Sequence, residues 1–125
     1  MPDSEIRSPE EETVEREFLE TAVRRAEFLR SGQPKKANKE YARLYALKGR
    51  IRRLKDRGEA ALKRIANDSD PEVQISAAAL LLAIDELFAT ELLERIQKSD
   101  IGLPSFTAEM TLREWRKGAI REYLS

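Results

Sequence analysis

The chain contains no cysteine and no histidine. Without thiols there is no disulfide framework, thiolate metal site or thiol nucleophile, and without imidazole the commonest general base and metal ligand is missing. Most familiar catalytic chemistry is thereby excluded. Long apolar runs are absent as well. The longest, Ala77 to Ile84, falls far short of the roughly 20 residues of a membrane span, and the acidic N-terminus has no signal-peptide core. No membrane association and a cytoplasmic location are the expectations. Glycine and proline are scarce at five each, and aromatic residues make up 6% of the chain. Neither sign of charge dominates, with 23 Lys and Arg against 23 Asp and Glu. What is present is 125 residues, 41% hydrophobic and 37% charged, enough for one domain around one core.

The few glycines and prolines stand mostly where helices should begin or end: Pro9, Gly32 and Pro34, Gly58, Pro71, Gly102 and Pro104, and Gly118. They divide the chain into six helical segments. Ser8, Pro9 and Glu11 form a capping box with proline at the first helical position, and Val14, Phe18, Ala22, Ala26 and Leu29 continue as an amphipathic stripe to about Ser31. A second helix is expected over about residues 34–57, with Ala37, Tyr41, Leu44, Leu47, Ile51 and Leu54 inward, antiparallel to the first. Gly49 inside it costs roughly 1 kcal/mol relative to Ala and marks a kink or a close helix contact. A third, of about ten residues, turns Leu62, Ile65 and Ala66 inward. Asp70 then caps a helix opened by Pro71, whose apolar run from Ala77 to Ile84 predicts cover on most sides. Further helices are expected over about 86–98 and 105–117. No stretch alternates with period two, so no strand is expected. The class is all-α, with residues 1–8 a disordered N-terminal segment and 9–125 a single helical domain.

An offset of 31 residues pairs Leu62 with Leu93, Ile65 with Ile96, Ala77 with Ala108, Leu81 with Leu112 and Ile84 with Trp115. Such a period marks a helical solenoid, and a chance match of two amphipathic hairpins is the alternative. The stretch from Asp68 to Leu81, an acidic turn followed by Pro71, Val73 and the Ala77-Ala78-Ala79 run, resembles the turn and second helix of a HEAT repeat, with Gln74 where that pattern carries Arg. Together with Asn38-Lys39-Glu40-Tyr41, Leu54 through Gly58, and Glu109 through Gly118, it resembles a small bacterial family of unknown function over about Glu10 to Gly118. The resemblance implies an α-α superhelix of about six helices, HEAT-like in its hairpins. Some relatives lie near toxin genes, which implies an immunity role, and the resemblance carries over no catalytic residues.

Charge is segregated along the chain. Residues 1–31 carry 5 basic and 9 acidic side chains (net −4), residues 35–57 carry 10 and 2 (net +8), and residues 58–125 carry 8 and 12 (net −4). On the expected second helix Lys39, Arg43, Arg50, Arg53 and Arg57 share one flank. Such a flank suits phosphates or an acidic partner. Alternatively, Glu10, Glu11, Glu12, Glu15, Glu17 and Glu20 of the first helix, or solvent, neutralise it. Tyr41 and Tyr45 border the basic flank, where a tyrosine can stack on a base or on a partner side chain. Tyr41 falls in the apolar stripe and reads as core, whereas Tyr45 is less committed. Asn38 reads equally as a solvated first-turn residue or a recognition amide. On the last helix Ala108, Leu112, Trp115 and Ala119 form one face and Phe106, Met110, Arg113 and Lys117 the opposite one. The second face is expected to be covered by the tail from Ile120 to Leu124.

Other motifs fail. Asp68-Ser69-Asp70 opens like an EF-hand loop, but Val73 and Ala79 stand where its glycine and bidentate glutamate belong. The Glu10-Glu11-Glu12 cluster is what a helix dipole alone favours. There is no glycine-rich phosphate loop, and no serine or threonine has a histidine to activate it. The expectation is a non-enzymatic protein-binding module without cofactor or metal. Its partner-binding residues are Asn38, Lys39, Arg43, Tyr45, Arg50, Arg53 and Arg57, with a toxin as the implied partner. The alternative is nucleic-acid binding through the basic flank. A third reading, an enzyme acting through carboxylates, is not singled out by any residue.

Overall fold

In the computed structural model, which describes residues 7–118, every regular element is helical. Helix α1 (Pro9–Arg30) begins at the predicted capping box: the Ser8 hydroxyl accepts from the Glu11 amide at 3.2 Å, and the Glu11 carboxylate accepts from the Ser8 amide. It ends where Gly32 takes φ +70°, a conformation a side chain disfavours, so that the Gln33 amide turns back to the Phe28 carbonyl at 2.8 Å. Pro34 then opens α2 (Pro34–Ala46), which packs antiparallel on α1. Of the segment 1–8, residues 1–6 lie outside the described residues. Arg7 and Ser8 are placed, Arg7 against Glu15 at 2.8 Å.

The expected second helix is broken twice. Leu47 closes α2 and starts α3 (Lys48–Arg53). Lys55 then adopts φ +54° before α4 (Asp56–Ile65). Gly58, expected as a terminator, lies inside α4. A Cβ there would stand 2.2 Å from the Ile51 carbonyl oxygen, so its smallness lets α4 lie against the end of α3. The reversal falls to Lys55, a residue that sequence reading does not associate with a left-handed turn.

Helix α5 (Pro71–Leu81) is capped by Asp70, whose side chain accepts from the Glu72 amide at 3.0 Å. Val73, Ile75, Ala77 to Ala79, Leu80 and Leu81 are all buried. The α5 core touches α1, α2, α4, α6 and α7, and each large aliphatic side chain buried there contributes roughly 1.5–3 kcal/mol. The cover does not reach as far as expected: α5 stops at Leu81, and Ile84 in the following turn is 39% exposed. Helices α6 (Glu86–Lys98) and α7 (Leu103–Arg116) pair with each other as α4 does with α5. Of the five 31-residue matches, the first four are buried in both copies, while exposed Ile84 answers to buried Trp115. Gln74, at the place of the HEAT arginine, donates to the Ala66 carbonyl at 3.0 Å within its own hairpin. Ala108, Leu112 and Trp115 face the core. Ala119 and the tail from Ile120 to Leu124 lie outside the described residues. One hydrophobic core runs through α1 to α7.

Candidate functional site

The breaks at Leu47 and Lys55 redistribute the expected basic flank. Asn38, Lys39, Arg43 and Tyr45 lie on α2, Arg50 and Arg53 on α3, and Arg57 on α4. They do not form one continuous helix face, because an interrupted helix does not carry its angular register past the interruption. Three of the five cations have carboxylate partners. Arg43 reaches Glu40 at 2.6 Å, Arg50 reaches Glu17 of α1 at 2.9 Å, and Arg57 pairs with the buried Glu11. Of these five, Lys39 and Arg53 are exposed and have no ion pair among the described residues. The segregation of charge therefore joins α1 to the helices after it, with Arg64 of α4 held by Glu15 at 2.7 Å in the same manner.

These pairs shift the carboxyls they bind. Arg57 and the Ser8 cap hold Glu11 below the usual glutamate value against the opposing effect of burial. Burial pushes Glu40 upward, but Arg24 and Arg43 outweigh it and its net shift is downward. The same balance, with Arg64 and Arg7, lowers Glu15.

On its other side α2 borders a cleft of about 360 Å³. Helix α1 contributes Arg25 and Leu29, α2 contributes Ala37, Asn38, Tyr41 and Tyr45, and α7 contributes Thr107, Met110, Thr111 and Glu114. The two tyrosine rings lie 4.8 Å apart at 37°, and the Tyr45 hydroxyl donates to that of Tyr41 at 3.1 Å. Tyr45 is the more buried of the two, the reverse of the expected order, and half-buried Tyr41 meets the Arg25 guanidinium at 4.8 Å from its ring centre. Asn38 is exposed at the margin of the cleft.

Arg25 is the chemically unusual member. It is only 5% exposed and stands in the apolar stripe of α1 between Ala22 and Ala26. Its Nη1 donates to the Ser76 hydroxyl at 3.1 Å and to the Glu72 carbonyl at 3.4 Å, and lies 3.5 Å from Glu72 Oε1. Glu72 is fully buried, and its Oε2 accepts from the Thr107 hydroxyl at 3.0 Å, while Oε1 receives no hydrogen bond. Burial drives the Glu72 carboxyl above the usual glutamate value, and the Arg25 charge and the Thr107 hydroxyl only partly offset it. Arg25, Glu72 and Thr107 thus tie α1, α5 and α7 together through a buried polar knot beneath the cleft.

Neither Arg25 nor Glu72 is apparent from spacing alone. The one available signal is a charge on the apolar stripe of α1, at the step between Ala22 and Ala26. Glu72 in the first turn of α5 looks like an ordinary acidic helix start. Chemically the site offers a guanidinium, hydroxyls and apolar walls. Glu72 does not line the cleft, so its carboxyl acts on a ligand only through Arg25 and Thr107. Among the described residues no group of three or more metal-ligating side chains comes together, and no helix is long and apolar enough to cross a membrane. No family model matches the chain, and no curated protein or solved structure shows significant similarity to it.

Proposed function

We propose that this chain is a non-catalytic binding module that takes a segment of another protein into the cleft between α1, α2 and α7. The observation that carries this reading is the cleft itself: an open concavity within the usual size range of ligand sites, with tyrosines along one wall and a buried arginine at its base. Such concavities with a few convergent polar groups are the usual seats of ligands, and tyrosine and arginine dominate the energetics of protein interfaces. A HEAT-like superhelical stacking of the hairpins is part of the same proposal, because solenoids bind partners along the groove their stacking creates. Membership of the small bacterial family that the sequence resembles, and with it a toxin as the partner neutralised, belongs to this proposal.

The test is co-purification with the product of the adjacent reading frame, followed by titration calorimetry of the isolated pair. A stable complex that Asn38→Trp abolishes, by filling the margin of the cleft, supports the reading. A complex that forms unchanged with Asn38→Trp removes the cleft as its seat. Nucleic-acid binding through Lys39, Arg43, Arg50, Arg53 and Arg57 is the weaker reading, because carboxylates already occupy three of the five cations.

A further inference from the structure

Arg25 has more donors than acceptors. Its Nη1 is engaged by Ser76 and Glu72, whereas Nε and Nη2 have no hydrogen-bond acceptor among the described residues. The side chain is nevertheless 94% buried, and it lines the cleft. Neither nitrogen is a fully buried donor, since Glu72 Oε1 is the one buried side-chain nitrogen or oxygen without a partner among the described residues, so this edge stays open to the cleft. A guanidinium edge carries two parallel N–H groups matched to a carboxylate. Tyr41 adds to this. Its hydroxyl oxygen accepts from Tyr45, which leaves its own proton for another acceptor. The walls beside these donors, Leu29, Ala37 and Met110, are apolar.

We infer that the cleft reads an acidic side chain of the partner: an Asp or Glu carboxylate paired with the free edge of Arg25 and the Tyr41 hydroxyl, with an adjacent apolar residue against Leu29, Ala37 and Met110. The inference rests on the reading of the cleft as the partner's seat and names the chemistry it selects. A single negative charge fits better than a phosphate dianion. Among the described residues one guanidinium is the only cation lining the cleft, Glu72 lies 3.5 Å behind it, and Glu114 stands on the α7 wall. A second negative charge on the ligand would meet these carboxylates without a cation to balance it. A ligand carboxylate also completes a buried pair whose present geometry is poor, since the Glu72 carboxylate offers Arg25 only one long contact.

The experiment is an NMR titration of the nitrogen-15-labelled full chain with two blocked dipeptides at millimolar concentration, acetyl-Leu-Glu-amide and its isostere acetyl-Leu-Gln-amide. The expected result is a saturable shift of the Arg25 Nε–H resonance and of the Asn38, Tyr41 and Met110 amides with the Glu peptide, and binding of the Gln peptide about tenfold weaker, the worth of one charge-assisted hydrogen bond. Arg25→Gln removes both the charge and the fork and should erase the preference. Because that residue is buried and its substitution risks the fold, exposed Asn38→Trp serves as the second variant and should abolish both titrations. Equal binding of the two peptides overturns the carboxylate reading while leaving the cleft as a binding surface. Shifts confined to residues outside the cleft, or none at all, overturn the carboxylate reading and count against the cleft, independently of whether the protein complex forms.

Discussion

Two glycines in neighbouring helices should respond in opposite directions to the same substitution. Gly49 in α3 is exposed, and a Cβ there meets nothing within 4 Å. Gly49→Ala should therefore stabilise by about 0.5–1 kcal/mol, the helix-propensity difference alone. At Gly58 the new Cβ would lie 2.2 Å from the Ile51 carbonyl oxygen and 3.0 Å from both Ile51 C and Cγ2. Real Cβ atoms essentially never approach closer than 3.0 Å, so the two helices must part by the missing 0.8 Å. That carbonyl also accepts from the Leu54 amide at 3.1 Å, the bond that closes α3. Overpacking typically costs about 1–3 kcal/mol, and weakening the closing bond adds about 1 kcal/mol. The propensity gain returns about 1 kcal/mol. Gly58→Ala should thus destabilise by about 1–3 kcal/mol, a fall in Tm of roughly 4–10 °C for a domain of this size. Urea unfolding followed by far-UV circular dichroism measures both variants against wild type. Equal or increased stability for Gly58→Ala would refute the close approach of α3 and α4, and with it the explanation of why the chain reverses at Lys55.

Further expectations concern charge and core. Glu11, Glu15, Glu40 and Asp85 are held below their ordinary values by Arg57, by Arg64 and Arg7, by Arg24 and Arg43, and by Lys63 respectively. Their stabilisation is present above the unfolded values of 4.5 for Glu and 3.8 for Asp and is lost as pH falls through the depressed folded values. Buried Glu72 has the opposite sign, since its raised folded value favours the fold below 4.5 and loses that contribution as pH rises. Urea midpoints should fall steeply on acidification below about pH 4.5, less steeply in Glu40→Gln, and an unchanged slope in that variant would show that the Arg24–Glu40–Arg43 cluster is not coupled to folding. Ala78, 0% exposed in α5, should not tolerate Ala78→Asp, which buries an unpaired charge and should cost several kcal/mol or unfold the chain. An unaltered thermal melt for it would contradict the central place of α5. In fluorescence anisotropy with labelled duplex and single-stranded oligonucleotides, wild type should bind negligibly at physiological salt. Submicromolar binding lost in Arg50→Glu/Arg53→Glu, with a slope of about −0.9 per phosphate contact for duplex DNA in a log-log salt plot, would restore the nucleic-acid reading.

Helix starts were the most legible part of this chain because their signals are local. Ser8 with Glu11, and Asp70 with Pro71, declare a cap within a few residues, and each cap forms as written. The breaks at Leu47 and Lys55 were not legible. The inward stripe of Leu44, Leu47, Ile51 and Leu54 is consistent with one straight helix, and only the approach of α4 to Ile51 shows why the chain turns at Lys55. The basic flank illustrates a different limit. Its residues were identifiable from composition, but their partners Glu11 and Glu17 lie 46 and 33 positions away, and pairing at that separation depends on tertiary packing. Arg25 was hidden for the same reason, since its meaning comes from Glu72 and Ser76 on a helix 47 to 51 residues further on.

The enclosure of α5 on all sides has a consequence for how the molecule opens. Its residues from Val73 to Leu82, apart from half-buried Gln74 and with Ser76 included, stand at 2% exposure or less. Water can reach their amides only after α1, α4, α6 or α7 has moved away. Amide hydrogen exchange along α5 should therefore follow the free energy of complete unfolding, while the α3 amides, in a six-residue helix at the surface, exchange through local fraying. A gradient of protection between these two helices would report directly on which part of the chain can loosen while the rest remains folded.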